Sequence, residues 1–230
     1  MKLKQACLRS ALYGANEPAS NYANEGVRFL RTTDIGDNGR LRLEGAVYLE
    51  RELVHDYLLQ DGDLLVSRSG TLGRSFVYDQ SLHGECAYAG YLVCFRLSPS
   101  LLPAFAFYFT KAQIFTDWLG VSVIQSTIGN VNGQKYANMH LPVPPLPEQH
   151  AIAAYLDRET ARIDTLVARK ERLIALLEEK RAALISHAVT CGLDPTAPLK
   201  DSGVPWLGQV PAHWQVLRLK VIAQVHTGIA

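Results

Sequence analysis

Apolar positions along this chain follow two different periods. Up to Leu97 they come in short runs broken by turn signals: Val27-Arg-Phe-Leu-Arg-Thr-Thr33, Asp63-Leu-Leu-Val-Ser67, Ser75-Phe-Val-Tyr78, Cys86-Ala-Tyr88 and Tyr91-Leu-Val-Cys-Phe-Arg-Leu97. Runs of this length, rich in β-branched and aromatic residues and set among turns such as Asp34-Ile-Gly-Asp-Asn-Gly39 and Gln60-Asp-Gly62, predict strands. From Pro103 the period lengthens. Phe105, Phe109, Ala112, Phe115 and Leu119 fall three or four apart, which predicts a helix that starts near Pro103 and stops near Gly120. At that spacing the aromatic stripe reads as core packing.

Leu141-Pro-Val-Pro-Pro-Leu-Pro147 places four prolines in seven residues, which neither a helix interior nor a central strand tolerates. After it there is no Pro or Gly until Gly192. Residues 148–190 therefore read as one helix, about 65 Å long at ~1.5 Å per residue. Along it Ile152, Leu156, Ile163, Leu166, Leu173, Leu177 and Leu184 recur at steps of 4, 7, 3, 7, 4 and 7. This is a heptad-like seam, interrupted by Glu159, Lys170 and Lys180 and widened by Val167, Ile174 and Ile185. Such a stripe calls for a second long helix, from another chain or from elsewhere in this one.

The fold class expected is α+β. A mixed globular body spans 1–140, a proline joint 141–147 and the long helix 148–190, while 191–230 form a linker leading to the start of a second body. The last expectation comes from Leu217-Arg-Leu-Lys220, which repeats the pattern of Met1-Lys-Leu-Lys4.

Composition narrows the class. The 230 residues are 48% hydrophobic and 20% charged, ordinary for a soluble globular protein, and no apolar run approaches a membrane span of ~18 residues. Cys7, Cys86, Cys94 and Cys191 lack metal or redox spacing, and the basic N-terminus lacks a long apolar stretch. A cytoplasmic location follows as the expectation. Lys and Arg total 23 against 22 Asp and Glu, and residues 1–147 carry thirteen of each sign. Nucleic-acid binding would have to rest on a local cluster rather than on the overall field.

Several segments together resemble the specificity subunits of type I restriction-modification enzymes. The dense part is Pro145-Leu-Pro-Glu-Gln149, Ile152-Ala-Ala-Tyr-Leu-Asp157, Arg162-Ile-Asp164, Leu176-Leu-Glu-Glu-Lys-Arg-Ala-Ala-Leu-Ile185 and Trp206-Leu-Gly-Gln-Val-Pro-Ala-His-Trp214. Weaker marks are Phe29-Leu-Arg-Thr-Thr-Asp-Ile35, Gly62-Asp-Leu-Leu-Val-Ser-Arg-Ser-Gly-Thr-Leu-Gly73 and Gln125-Ser-Thr-Ile-Gly-Asn-Val-Asn132. The resemblance implies a target recognition domain that reads one half of a split site in double-stranded DNA. It also implies a long helix that pairs in an antiparallel coiled coil and docks modification (methyltransferase) subunits. The restriction subunit, an ATP-dependent translocase and nuclease, completes the implied partners. That family has two recognition domains and two long helices where this sequence has one of each. A half-length subunit acting as a homodimer on a palindromic split site, or a fragment, is therefore expected.

Candidate DNA-contacting residues are those that can reach base edges or phosphates. Ser67, Arg68, Ser69, Thr71 and Arg74 lie on a glycine-bearing turn after a strand, although an ordinary polar hairpin has the same composition. Gln125, Ser126, Thr127, Asn130, Asn132 and Lys135 form a second polar stretch, for which a helix cap and loop is the alternative. Arg31, Thr32 and Thr33 end a strand and face either the core or DNA. No dinucleotide or phosphate loop occurs, the seven histidines lack ligand spacing, and Glu178-Glu-Lys180 on the long helix reads as surface ion pairing. The chain is expected to be non-catalytic, with no cofactor and no metal. The competing class is a coiled-coil adaptor that dimerises through the long helix and has no DNA specificity.

Overall fold

The computed structural model describes residues 1–123 and 129–223. Contacts divide the chain into two compact units, Met1–Thr160 and Ala161–Ala230. The first unit thus takes in the proline joint and the first turns of the long helix.

The first unit is built on two sheets. Strands β1 (Cys7–Tyr13), β2 (Val27–Leu30), β3 (Val47–Leu49), β4 (Leu64–Ser67), β5 (Ser75–Val77), β6 (Cys86–Tyr88) and β7 (Leu92–Leu97) are joined by two one-turn helices, α1 (Arg51–Val54) and α2 (Gln80–His83). One sheet has the order β1-β7-β4-β5 and is antiparallel throughout; the other, β3-β2-β6, pairs β2 with β6 in parallel. The five apolar runs became β2, β4, β5, β6 and β7. Strands β1 and β3 had no such signal. β1 has the adjacent polar pair Arg9 and Ser10 at its middle and is irregular in register, with Ala11 at φ 59°, and β3 is only three residues long.

Strand alternation explains why β4 and β7 are apolar along nearly their whole length. Leu64, Val66, Val93 and Phe95 face helices α3 (Pro103–Lys111), α4 (Gln113–Ser122) and α5 (Gly133–Asn138), meeting Phe105, Phe115, Leu119 and Tyr136. Their alternate neighbours Leu65, Leu92 and Cys94 face the second sheet and pack with Leu30, Cys86 and Tyr88. A sheet covered on both faces needs no polar side. The stretch from Pro103 is two helices rather than one, because Ala112 is extended (φ −74°, ψ 148°), and the second helix runs through Gly120 to Ser122. The break turns Phe109 and Phe115 edge to face at 6.4 Å, and the stripe is core, as its spacing predicts.

Helix α6 covers Leu146–Cys191, 46 residues, two earlier and one later than the expected 148–190. Pro147 falls in its first turn, where a missing N–H costs nothing. Gly192, at φ 78°, ends it in the left-handed conformation that helix stops favour. In the second unit β8 (Leu199–Asp201) and β9 (Gln209–Pro211) pair antiparallel, burying Val210 and leaving Trp206 exposed. Helix α7 (Leu219–Ile222) stands at the same offset from Leu217 as the 3-10 turn Leu3–Ala6 does from Met1.

Candidate nucleic-acid interface

The sheet registers bring several strand ends to one edge of the first unit. Tyr13 at the end of β1 pairs with Val93, and Ser67 at the end of β4 pairs with Leu92 at the start of β7. Leu30 and Tyr88 close the parallel β2–β6 pair, and Ala15 then bridges Ala89. The segment after the undescribed stretch joins the same edge through an Asn130–Ser69 bridge. Residues 13–16, 30–33, 67–74, 89–92 and 129–132 are thereby neighbours, although they are scattered in sequence.

Loop 68–74 is held from inside by Ser67. This residue is fully buried; its hydroxyl donates to the Thr71 carbonyl and accepts from the Arg74 N–H at 3.0 Å, while its carbonyl accepts the Tyr136 hydroxyl at 2.9 Å. Of the described DNA-contacting candidates, Ser67 is thus the one that is buried beneath the loop and shapes it. Gly73 is favoured by its backbone, at φ 73° in the left-handed region, and an added Cβ would also push aside Leu119 Cδ1, 2.3 Å away. Ser69 is half-buried and Thr71 is exposed at the tip.

The three candidate arginines differ in how they are paired. Arg31 is held by Asp34 through Nε at 3.0 Å and Nη2 at 2.8 Å, and it donates to the Gly45 carbonyl at 2.6 Å. Its hydrogen bonds to Asp34 raise its pKa further above the ordinary guanidinium value, so this group is a fixed strut. Arg74 is paired with Asp37 at 2.6 Å, and Asp37 is itself mostly in solvent. Arg68 has no carboxylate partner among the described residues. Its guanidinium lies 4.9 Å over the Tyr13 ring, Nη1 makes a long 3.4 Å contact with the Gly90 carbonyl, and Nε is buried without a partner.

Two further unpartnered polar atoms lie on this edge. Asn130 Oδ1 and Thr32 Oγ1 are buried and accept nothing. Such atoms cost roughly 1–3 kcal/mol each unless water or a ligand meets them. Beside Thr32 opens a pocket of about 580 Å³, lined among others by Asn16, Tyr22, Arg31, Gly90 and Tyr91. Thr33 is exposed at its rim. Two other candidates serve the local fold. Asn132 caps α5, its side-chain oxygen accepting the Lys135 N–H at 2.9 Å, and the Lys135 ammonium donates to the Ser122 carbonyl at 2.7 Å. Gln125, Ser126 and Thr127 lie outside the described residues.

Sequence reading missed Tyr13, Asn16, Asp37 and Tyr91. Tyr13 and Tyr91 are exposed aromatics at strand ends, a signal that pairing β1 with β7 would have supplied.

A family model described as the type I restriction modification DNA specificity domain matches residues 15–175. The chain belongs to this family. The match takes in the whole edge except Tyr13 and Gly14, together with most of α6. The specificity subunit of the type I restriction enzyme EcoKI of Escherichia coli K12 is 26% identical over 75% of this chain and 38% of its own length. That of StySPI from Salmonella potsdam is 24% identical over 83% and 42%. The chain thus spans less than half the length of these curated relatives. Among solved structures, a chain of a type I R-M system solved for its complex assembly and conformational transition aligns with TM-score 0.68 at 21% identity, covering 84% of this chain and 46% of that one. The HsdS subunit of Thermoanaerobacter tengcongensis gives 0.58 at 22%, covering 84% and 45%. At these identities the superpositions speak for the fold: a sheet-built body and a long helix.

The seam residues of α6 divide in two. Ile152 packs against the body's core and Leu156 is half-buried, so the first belongs to the body rather than to a free seam. Ile163, Leu166, Leu173, Leu177 and Leu184 are each about half exposed or more. Among the described residues no helix is long and apolar enough to cross a membrane.

Proposed function

We propose that this chain is the DNA-reading subunit of a type I restriction-modification system. The edge built by residues 13–16, 30–33, 67–74, 89–92 and 129–132 lies on double-stranded DNA, and the exposed stripe of α6 pairs with a second long helix. The observation that carries the reading is Arg68. It is the one candidate arginine without a carboxylate, pre-oriented by the Tyr13 ring, on an edge of a chain whose family is defined by DNA specificity. A planar guanidinium with a free donor is suited to phosphate or guanine, and a neighbouring amide such as Asn130 to adenine.

In this reading residues 1–140 are the recognition domain, 141–147 the joint and 148–190 the spacer. Residues 191–230 lead toward a second recognition element. The chain contributes no catalysis; it directs separate methyltransferase and ATP-dependent restriction subunits. Two copies pair through Ile163, Leu166, Leu173, Leu177 and Leu184, presenting identical readers to a palindromic split site in the cytoplasm.

The test is co-expression with the cognate modification subunit, followed by mapping of methylated sites. Methylation at a palindromic two-part site is the expected result. An assembled complex that methylates nothing would mean that a different second reader is required, and failure to assemble would favour an adaptor.

A further inference from the structure

Helix α6 begins with a buried lock. Gln149 is fully buried; its side-chain oxygen accepts the Leu102 N–H at 2.7 Å, and its nitrogen donates to the Ser100 carbonyl at 2.9 Å and the Pro144 carbonyl at 2.7 Å. Ala153, one turn on, is buried, and Ile152 packs into the body's core. One turn further, Tyr108 donates its hydroxyl to Asp157 at 2.6 Å. Positions 149, 153 and 157 share one face of the helix. One partner of Gln149 and the partner of Asp157 lie on one element: Leu102 is the N-cap of α3 and Tyr108 lies within it, while Ser100 just precedes it. α3 is fixed in turn to β5 by the buried Thr110–Ser75 hydroxyl pair at 2.5 Å, and β5 is the strand that follows loop 68–74. Hydrogen bonds therefore link the first turns of α6 to the framework of the reading edge.

A helix lengthens any error at its base. Over the 46 residues of α6, about 69 Å, an angular play of ~3° moves the far end by roughly one base-pair rise of ~3.4 Å. One extra base pair also turns the second half-site by about 35° around the duplex. Core contacts alone allow small rocking, whereas a buried amide with three directed bonds does not. We propose that Gln149 and the Tyr108–Asp157 bond are positioning groups that fix the direction of α6 on the recognition body and so set the separation of the half-sites that a pair of these bodies accepts. This inference rests on the DNA-reading function proposed above.

The experiment uses the full chain with its modification subunit. Sites methylated by the wild type are mapped first, and then a plasmid set carries those half-sites with the gap lengthened or shortened by one base pair. Gln149→Ala should lower the discrimination between gap lengths about tenfold, and Tyr108→Phe about threefold. Asp157→Asn keeps the acceptor oxygen and should retain wild-type preference. A general loss of stability would lower methylation at every gap alike, so the preference is the readout that separates positioning from folding. If Gln149→Ala does not fold, Tyr108→Phe decides alone. Wild-type gap preference in folded variants would overturn the positioning role and leave DNA reading intact. A wild-type complex that assembles and methylates no split site would overturn the pairing of two identical bodies, and this inference with it, whereas failure to assemble would remove the DNA-reading function itself.

Discussion

At the base of α6, Gln149 is fully buried and fills three hydrogen bonds, whereas at the opposite kind of site, the strand-end edge, Arg68, Asn130 and Thr32 each keep a buried polar atom with none. Both regions bury polar groups in the same unit, under the same penalty for leaving them unmet. The anchor meets that penalty within the chain. The edge leaves it open, which is what a surface completed by another molecule would show. Arg31 and Arg74 sharpen the contrast, since each has its own aspartate and Arg68 has none.

The largest effect expected from breaking a satisfied group is at Asp63. This carboxylate is buried and takes both Nε and Nη2 of Arg96 at 3.0 and 2.9 Å, as well as the Gln60 N–H at 2.9 Å. Asp63→Asn leaves the half-buried guanidinium unpaired and should cost about 3 kcal/mol in urea unfolding followed by far-UV circular dichroism. Gln149→Leu keeps the volume but strands one N–H and two carbonyls; about 2 kcal/mol is expected by the same measurement. A loss under about 0.5 kcal/mol at either position would mean that solvent replaces the missing partner, and the anchor would then be no different from the edge.

At the edge the ranking inverts. Arg68→Ala removes a stacked cation worth about 0.5–1 kcal/mol to the fold, yet it should weaken binding to duplex DNA about tenfold at low salt. Asn130→Ala removes an unmet acceptor and should not lower stability; any change should be a gain of up to roughly 1–3 kcal/mol. Titration of labelled duplex at two salt concentrations, beside thermal melts of the same variants, checks both. Arg68→Ala that melts early while binding DNA normally would move Arg68 to the structural side.

Much of the architecture was legible because its physics is local. Apolar runs between turns marked β2, β4, β5, β6 and β7, and the proline joint with the unbroken helix-forming stretch marked α6 to within two residues. Strand β1 was not legible, because Arg9 and Ser10 break its apolar run and its strand character comes from pairing with β7. The same reason hid Tyr13 and Tyr91 from the site. Sequence also could not separate the arginines. Arg31 and Asp34 are close enough in the chain to suggest a pair, but Arg74 meets Asp37 across 37 positions. Ser67 and Asn132, polar and near glycines, matched a DNA-contact pattern equally well, and only the structure shows that one staples a loop and the other caps a helix.

The smallest effect concerns that Arg74–Asp37 pair. Arg74 is largely covered, while Asp37 stands mostly in solvent, with Lys111 donating to its main-chain carbonyl at 3.0 Å. A pair with one exposed member contributes little to stability, within about 1 kcal/mol, so Asp37→Asn should leave the melting point nearly unchanged. It removes a negative charge beside loop 68–74 and releases the Arg74 guanidinium. If that loop lies on DNA, affinity should rise about twofold to threefold at low salt, and the slope of log affinity against log salt should steepen by up to about one counterion. The sign matters more than the size, because an ordinary stabilising ion pair gives no gain when broken. A steeper slope would mean that Asp37 holds Arg74 back from phosphate in the free protein. An unchanged slope would leave Arg68 as the only cation of this loop that reaches DNA, and the contrast between paired and unpaired arginines would then describe the contact itself.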